Sequence, residues 1–301
     1  MALKKKLLIT GAAGYVASQM LPSLRKKYEL VLLDASTKNR DGEEVEGVST
    51  VDLIDKDRSA YSHFFEGVNA VIHLAYKRRS GQPLDHFFDE NQNVQMAYNV
   101  LRSSYDHGVD RVVIASSNHA SDFYEHALIH VRSLEMLDTY RLALSDNFYG
   151  WAKASYEHLG FLFACGGMGE GGDGLSENLV AGNLDTSRKM GVVMVRIGAP
   201  RNLDAQQYKD RAVSFKRDLG AFISPRDITQ LFEKSVEVED IENEYGIPWQ
   251  VVYGISNNTR SFWSLANARK VLGYDPMDDS EILFAEAVQS IIKDAGRVGP
   301  T

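Results

Sequence analysis

Tyr149-Gly150-Trp151-Ala152-Lys153 sets a phenol and an amine four residues apart. On a helix they share one face. A free phenol titrates near 10, too high for an efficient base at neutral pH, and a neighbouring ammonium favours the phenolate. The chain has 14 tyrosines, so the spacing alone says little and its place decides. It opens a helical pattern over about 149–163, downstream of the apolar run 111–115, which ends in Ser116-Ser117-Asn118-His119. That order brings hydroxyls, an amide and an imidazole to the end of a strand. Arg196 closes another apolar run, 192–196. A planar guanidinium there suits a substrate carboxylate bound bidentately, or a structural ion pair at the sheet edge. Asn118 and His119 suit hydroxyl or carboxylate groups of a substrate, or are satisfied turn residues.

A second constellation lies at Thr10-Gly11-Ala12-Ala13-Gly14-Tyr15-Val16-Ala17. Gly11 permits a tight turn, Gly14 lets backbone approach a pyrophosphate, and Ala17 allows close helix–strand packing. The phosphates would sit on the N–H groups that open the helix. About 20 residues on, Asp34 ends the next apolar run. Its carboxylate would bind both hydroxyls of an adenosine ribose and repel a 2′-phosphate. No Arg follows it closely, so NAD is expected over NADP. Gly167-x-Gly169-x-x-Gly172 fits the same template, but no strand precedes it and no helix opens from it, so it is set aside.

These groups need a scaffold. Short apolar runs at 7–10, 30–33, 48–51, 70–75, 111–115, 192–196 and 250–253 alternate with helical patterns at about 14–27, 85–106 and 149–163. Near-continuous apolar strands, each followed by a helix, indicate a parallel sheet covered on both faces. The fold class is α/β, a Rossmann-type doubly wound parallel sheet with a small C-terminal substrate-capping region. Residues 1–164 read as an NAD-binding core and 165–191 as a glycine-rich surface insertion. Residues 192–260 read as later strands and substrate-site loops, and 261–301 as a helical cap.

Composition narrows the class. With 301 residues, 25% of them charged, and a net charge of -8, the chain can bury a full core and carries no basic run. That argues against nucleic acid and against anionic membrane surfaces. The lone Cys165 excludes an internal disulfide framework and a cysteine zinc site, and a cytoplasmic setting is expected. Lys4-Lys5-Lys6 precedes an apolar run that Thr10, Gly11 and Gly14 break at once, so it is no secretory signal, and no stretch is long enough to span a bilayer. His126 and His130 stand at helical spacing beside Glu125 without a third ligand, so no metal is expected.

Taken together, these features resemble the extended short-chain dehydrogenase/reductase family of NAD-dependent epimerase/dehydratase type, over nearly the whole chain. The matching positions are the turn 10–17, Asp34, Asp52-Leu53, His73-Leu74-Ala75, Asn93, Asn99, Ser116-Ser117, and Tyr149 with Lys153. Within the family, Ser116-Ser117-Asn118-His119, Tyr149-Gly150, Arg196-Ile197-Gly198 and Tyr253-Gly254-Ile255-Ser256-Asn257 resemble uronate dehydrogenases, which oxidise C1 of a hexuronate to an aldarolactone with NAD. The chain departs from that pattern between Ser117 and Tyr149, in the glycine-rich insertion, and in Lys77-Arg78-Arg79 after the fourth strand.

The resemblance implies Tyr149 as base, Lys153 as its partner on the nicotinamide ribose, and Ser117 as the group orienting the reacting oxygen. It implies Ser117, Asn118, His119 and Arg196 for a small anionic sugar. It implies Gly11, Ala13, Gly14, Tyr15, Val16, Asp34, Asp52, Leu53, Leu74, Ala75, Tyr76, Asn93, Tyr149, Lys153 and Ile197 for NAD, and it is compatible with a homo-oligomer. Three alternatives stay open. One is a phosphosugar dehydrogenase with Lys77, Arg78 or Arg79 on the phosphate. Another is a nucleotide-sugar epimerase or dehydratase. The third is a non-catalytic NAD-sensing module.

Overall fold

The computed structural model of the chain describes residues 4–166 and 190–294. The seven apolar runs are strands: β1 Lys6–Thr10, β2 Glu29–Asp34, β3 Val48–Thr50, β4 Ala70–His73, β5 Arg111–Ser117, β6 Gly191–Ile197 and β7 Trp249–Gly254. All pair in parallel, in the order β3-β2-β1-β4-β5-β6-β7. This is the expected doubly wound sheet. β4 stops at His73, short of 75, because Leu74 leaves the ladder after a last bond from its N–H to the Thr10 carbonyl. β5 runs further than its apolar stretch, to Ser117, and keeps its pairing with Ile197 of β6.

Successive side chains of a strand point to opposite faces, so an unbroken apolar strand needs cover on both. Leu7 and Ile9 pack with Ala17, Met20 and Leu24 of α1 (Tyr15–Lys27) and with Ile228 and Leu231 of a later helix, Pro225–Glu237. Leu8 faces the other core, with Val100 of α2 (His86–Asp106) and Ala152 and Tyr156 of α3 (Phe148–Ala164). Asn147 starts α3 by accepting a hydrogen bond from the Gly150 N–H at 3.0 Å. That cap sets where Tyr149 and Lys153 stand on the first turns.

α4 (Ala212–Ala221) and α5 (Pro225–Glu237) follow β6. α6 (Ala266–Leu272) and α7 (Ala285–Asp294) follow β7. A third apolar cluster joins Leu203, Tyr208, Phe215 and Phe222 to Ile291 of α7, which packs α7 against α4 and the segment before it. The glycine-rich stretch from 167 to 189, including the template match at 167–172, lies outside the described residues. Among the described residues no helix is long and apolar enough to cross a membrane.

Candidate active site

Between β1 and β4 the chain switches the direction of its crossovers, and a cleft opens beyond the strand ends. A cavity of about 840 Å³ lies there. Gly11 forms its floor with φ +70°, and a Cβ on it would stand 2.5 Å from the Ala75 backbone nitrogen. Only glycine fits so close an approach. Gly14 caps α1 with no side-chain cap and no acid in the first turn, so the opening N–H groups stay available to an anion. Asp34 accepts a hydrogen bond from the Ala13 N–H at 2.9 Å, which ties the end of β2 to the glycine turn. Tyr15 and Val16 flank this turn, Asp52 and Leu53 close one side, and Leu74, Ala75 and Tyr76 the other. A helix terminus for a pyrophosphate and a carboxylate for a ribose are therefore present in one cleft, which is the donor set a dinucleotide needs.

Four cofactor assignments do not line this cavity: Tyr149 lines the second cavity instead, Lys153 is buried and lines neither, and Asn93 and Ile197 lie behind the walls. Asn93 is wholly buried and spends its amide on the backbone of Lys77, accepting from the N–H at 2.7 Å and donating to the carbonyl at 2.9 Å. It shapes the wall from behind. Ile197 is packed in the core below the sheet end, and the residues after it, from Gly198, face the second cavity. Conversely, Lys38 and Arg40 line the cofactor cavity near Asp34. The chain thus does place an arginine near the ribose end, six residues downstream of the acid, where the turn 35–40 folds back.

The second cavity, of about 500 Å³, adjoins the ends of β5 and β6. Tyr149, Ser117 and His119 line it together. The Ser117 hydroxyl and the Tyr149 phenol face the same cavity, and the His119 ring meets the Tyr149 ring edge-on at 5.6 Å. His119 is oriented by Asp122, at 2.6 Å from Nδ1, and Asp122 in turn accepts from the Asn147 amide at 2.9 Å. Lys153 is buried, donates to the Ala115 carbonyl at 2.9 Å, and stands 5.6 Å from the centre of the Tyr149 ring. Burial depresses the Lys153 amine to about 8, with Glu90 opposing. Burial pushes the Tyr149 phenol above its ordinary value. The Ser117 hydroxyl and Arg79 pull it back, while Glu90 and Asp122 push it up. Desolvation dominates, and the lowering expected from Lys153 is not seen.

Two substrate assignments need correction. Arg196 is 1% exposed. Its Nε and Nη2 donate to both oxygens of Glu157 at 2.8 and 2.7 Å, and Nη1 donates to the Tyr253 hydroxyl at 3.1 Å. Every face of the guanidinium is engaged inside the sheet–helix layer, so it cannot read a substrate carboxylate. This is the structural ion pair. Asn118 is likewise buried, in a short 3-10 turn over Asn118–Ser121, with its side-chain carbonyl accepting from Ser117 at 3.3 Å, and it does not line the cavity.

Three other arginines do line it. Arg217 is held bidentately by Glu125 at 2.8 and 2.9 Å, Arg201 donates to Asp218 at 2.7 Å, and Arg79 lies over the Tyr149 ring at 5.7 Å. Arg201 and Arg79 keep much of their side chains exposed, 54% and 42%. His73, the buried histidine of β4, bonds Thr10 Oγ1 at 2.7 Å, and burial drops it to about 3, so it is a neutral core group.

The NAD dependent epimerase/dehydratase family model matches residues 7–160. The chain is 30% identical over 283 residues to an NAD-dependent glucose-6-phosphate dehydrogenase of Haloferax volcanii, covering 91% of this chain and 94% of that protein. It is 30% identical over 293 residues to a uronate dehydrogenase of Pseudomonas putida, covering 95% and 88%. Its fold matches the crystal structure of uronate dehydrogenase from Agrobacterium tumefaciens with a TM-score of 0.68 at 25% identity, over 96% of this chain and 90% of that one. These relatives and the dinucleotide cleft make the protein an NAD-dependent oxidoreductase. The chain belongs to the NAD dependent epimerase/dehydratase family.

Proposed function

We propose that the chain oxidises the C1 hydroxyl of a hexuronate, galacturonate or glucuronate, to the aldarolactone. The observation that carries this reading is the convergence of the Tyr149 and Ser117 hydroxyls on one cavity that also exposes Arg79 and Arg201. Relatives named as uronate dehydrogenases support the substrate class.

NAD, when bound, accepts a hydride. The chain supplies the rest. The N–H groups opening α1 hold the pyrophosphate and Asp34 the adenosine ribose. Ser117 orients the reacting oxygen by a hydrogen bond. Tyr149 takes the proton of the C1 hydroxyl as the hydride leaves the same carbon, so the hemiacetal loses two electrons and two hydrogens and becomes a lactone. Lys153 holds the nicotinamide ribose, and its charge favours the phenolate. His119, fixed by Asp122, offers Nε2 to a ring hydroxyl. Arg201 meets the carboxylate.

A second reading has its own observation. Arg79 reaches the same cavity on a loop that carries Lys77 and Arg78, and a relative is named a glucose-6-phosphate dehydrogenase. A phosphosugar would place its phosphate between Arg79 and Arg201.

One panel separates the two readings. NADH formation is followed with galacturonate, glucuronate, glucose 6-phosphate, neutral aldoses and a nucleotide sugar. Turnover confined to the uronates is the expected result. Turnover confined to glucose 6-phosphate transfers the assignment to the phosphosugar. A flat panel with tight NAD binding overturns both.

A further inference from the structure

The segment after β4 is a strap tied to one side of α2 by three consecutive attachments. Asn93 clamps the backbone of Lys77. Asp89 accepts from the Ser80 N–H at 2.6 Å. Glu90 accepts from the Tyr76 hydroxyl at 2.7 Å and faces Arg79 Nε at 3.6 Å. Glu90 is completely buried, and a carboxylate is placed there at a cost unless it is paired. Its partners are residues of the strap together with Asn93. The strap is thereby fixed with Tyr76 edge-on to Tyr149 at 5.5 Å and the Arg79 guanidinium 5.7 Å from the centre of the same ring.

The groups facing the phenol can be compared by element. Ser117, His119 and Asp122 come from the end of β5 and the turn after it, and Lys153 and Tyr156 from α3 itself. Tyr76 and Arg79 come from the strap, and Glu90 from α2. Two of these are cations. Lys153 is buried, and that burial holds its amine down to about 8. Arg79 is partly solvated, and a guanidinium keeps its charge at any working pH.

We propose that Arg79 is a positioning residue for the reaction: Glu90 seats its guanidinium beside the Tyr149 ring, where the fixed positive charge favours the phenolate that accepts the substrate proton. The proposal rests on the reading of Tyr149 as the base. It gives the basic triplet in the strap a role in proton transfer, separate from any contact with a substrate anion.

The test is the pH dependence of kcat, taken at saturating NAD and with the panel sugar of highest turnover, so that binding of an anionic group drops out. The acid limb of kcat reports the base in the ternary complex. Arg79→Gln is expected to move that limb upward by roughly half a unit to one unit, the effect of one charge at this separation through a partly solvated path. Arg79→Lys keeps the charge and is expected to restore most of the shift. An unmoved limb in Arg79→Gln, or an equal shift in both variants, overturns the proposal. Tyr149→Phe is run beside them. If it keeps more than a tenth of the rate, the reading of Tyr149 has failed. If it is inactive while the limb stays put, only the role of Arg79 has failed.

Discussion

Replacing Glu157 by Gln removes one charge from a buried pair and leaves its shape almost unchanged. Arg196 then keeps one hydrogen bond to Tyr253 and faces an amide where it had a carboxylate. Both side chains are nearly inaccessible, at 2% and 5%, so water cannot take over the missing charge. Breaking a buried pair on one side costs about 3–5 kcal/mol, mostly through the stranded partner. Ser116, which donates to the same carboxylate at 2.8 Å, loses its acceptor or must turn. At roughly 2–3 °C per kcal/mol for a chain of this size, the melting temperature should fall by about 6–15 °C. Thermal unfolding of Glu157→Gln beside the parent reads this directly. The double variant Glu157→Met with Arg196→Met should recover much of the loss, because two well-packed apolar side chains replace a pair that is costly to desolvate. A melting temperature within a degree of the parent, with a selective rise in KM for uronates, would refute the structural role and return Arg196 to the substrate.

Three further outcomes follow from groups already described. The Lys153 amine is charged at a cost in the fold, since its value there, about 8, lies below its ordinary 10.5. The penalty is fully present below about 8 and fades as pH rises toward 10.5. Lys153→Met should therefore stabilise the cofactor-free protein at pH 7 by roughly 1–3 kcal/mol while abolishing turnover, and the gain should shrink above pH 8. Destabilisation at pH 7 in calorimetry would contradict this. Asp34→Ser removes the carboxylate that stands near Lys38 and Arg40. The ratio of kcat/KM for NADP over NAD should rise about tenfold or more, roughly 1.4 kcal/mol of discrimination, and an unchanged ratio would show that those cations do not reach the ribose. His119→Ala should raise KM for the sugar more than it lowers kcat, with NAD affinity unchanged. A large loss of NAD affinity instead would mean that the ring serves the cofactor side.

The scaffold was readable because a doubly covered strand must be apolar on both faces. Leu7, Leu8 and Ile9 announce themselves whatever their partners are. The positions of the glycine turn, Asp34, Ser117 and Tyr149 were readable because each stands at an element boundary that the pattern fixes, with Lys153 one turn beyond Tyr149. Arg196 shows the limit. Its place at the sheet's ligand end was visible, but not that Glu157 arrives against it from α3. A signal was there: Glu157 lies four residues beyond Lys153, on the same face of a helix that must cover the sheet. Tyr253 is the register partner of Arg196 on β7. Asn93 and Asn118 look like ligand groups in sequence, yet the Asn93 amide is consumed by the Lys77 backbone, and Asn118 is buried away from the cavity with its carbonyl on Ser117 and its NH2 unpaired. Arg201 and Arg217 reach the site from an irregular segment and from α4, and the course of the segment carrying Arg79 is set by the distant side chains Asp89 and Glu90. No local periodicity encodes that.

Tyr76 is common masonry to the cofactor cleft and the sugar cavity. Its hydroxyl is held by a buried acid, so the ring has little freedom to yield to one occupant without altering the space left for the other. A party wall of this kind makes the two occupancies thermodynamically reciprocal: whatever factor the dinucleotide imposes on sugar affinity, the sugar returns to the dinucleotide. Substitutions at position 76 should then be read first in the coupling between the two ligands, and only second in the affinity for either alone.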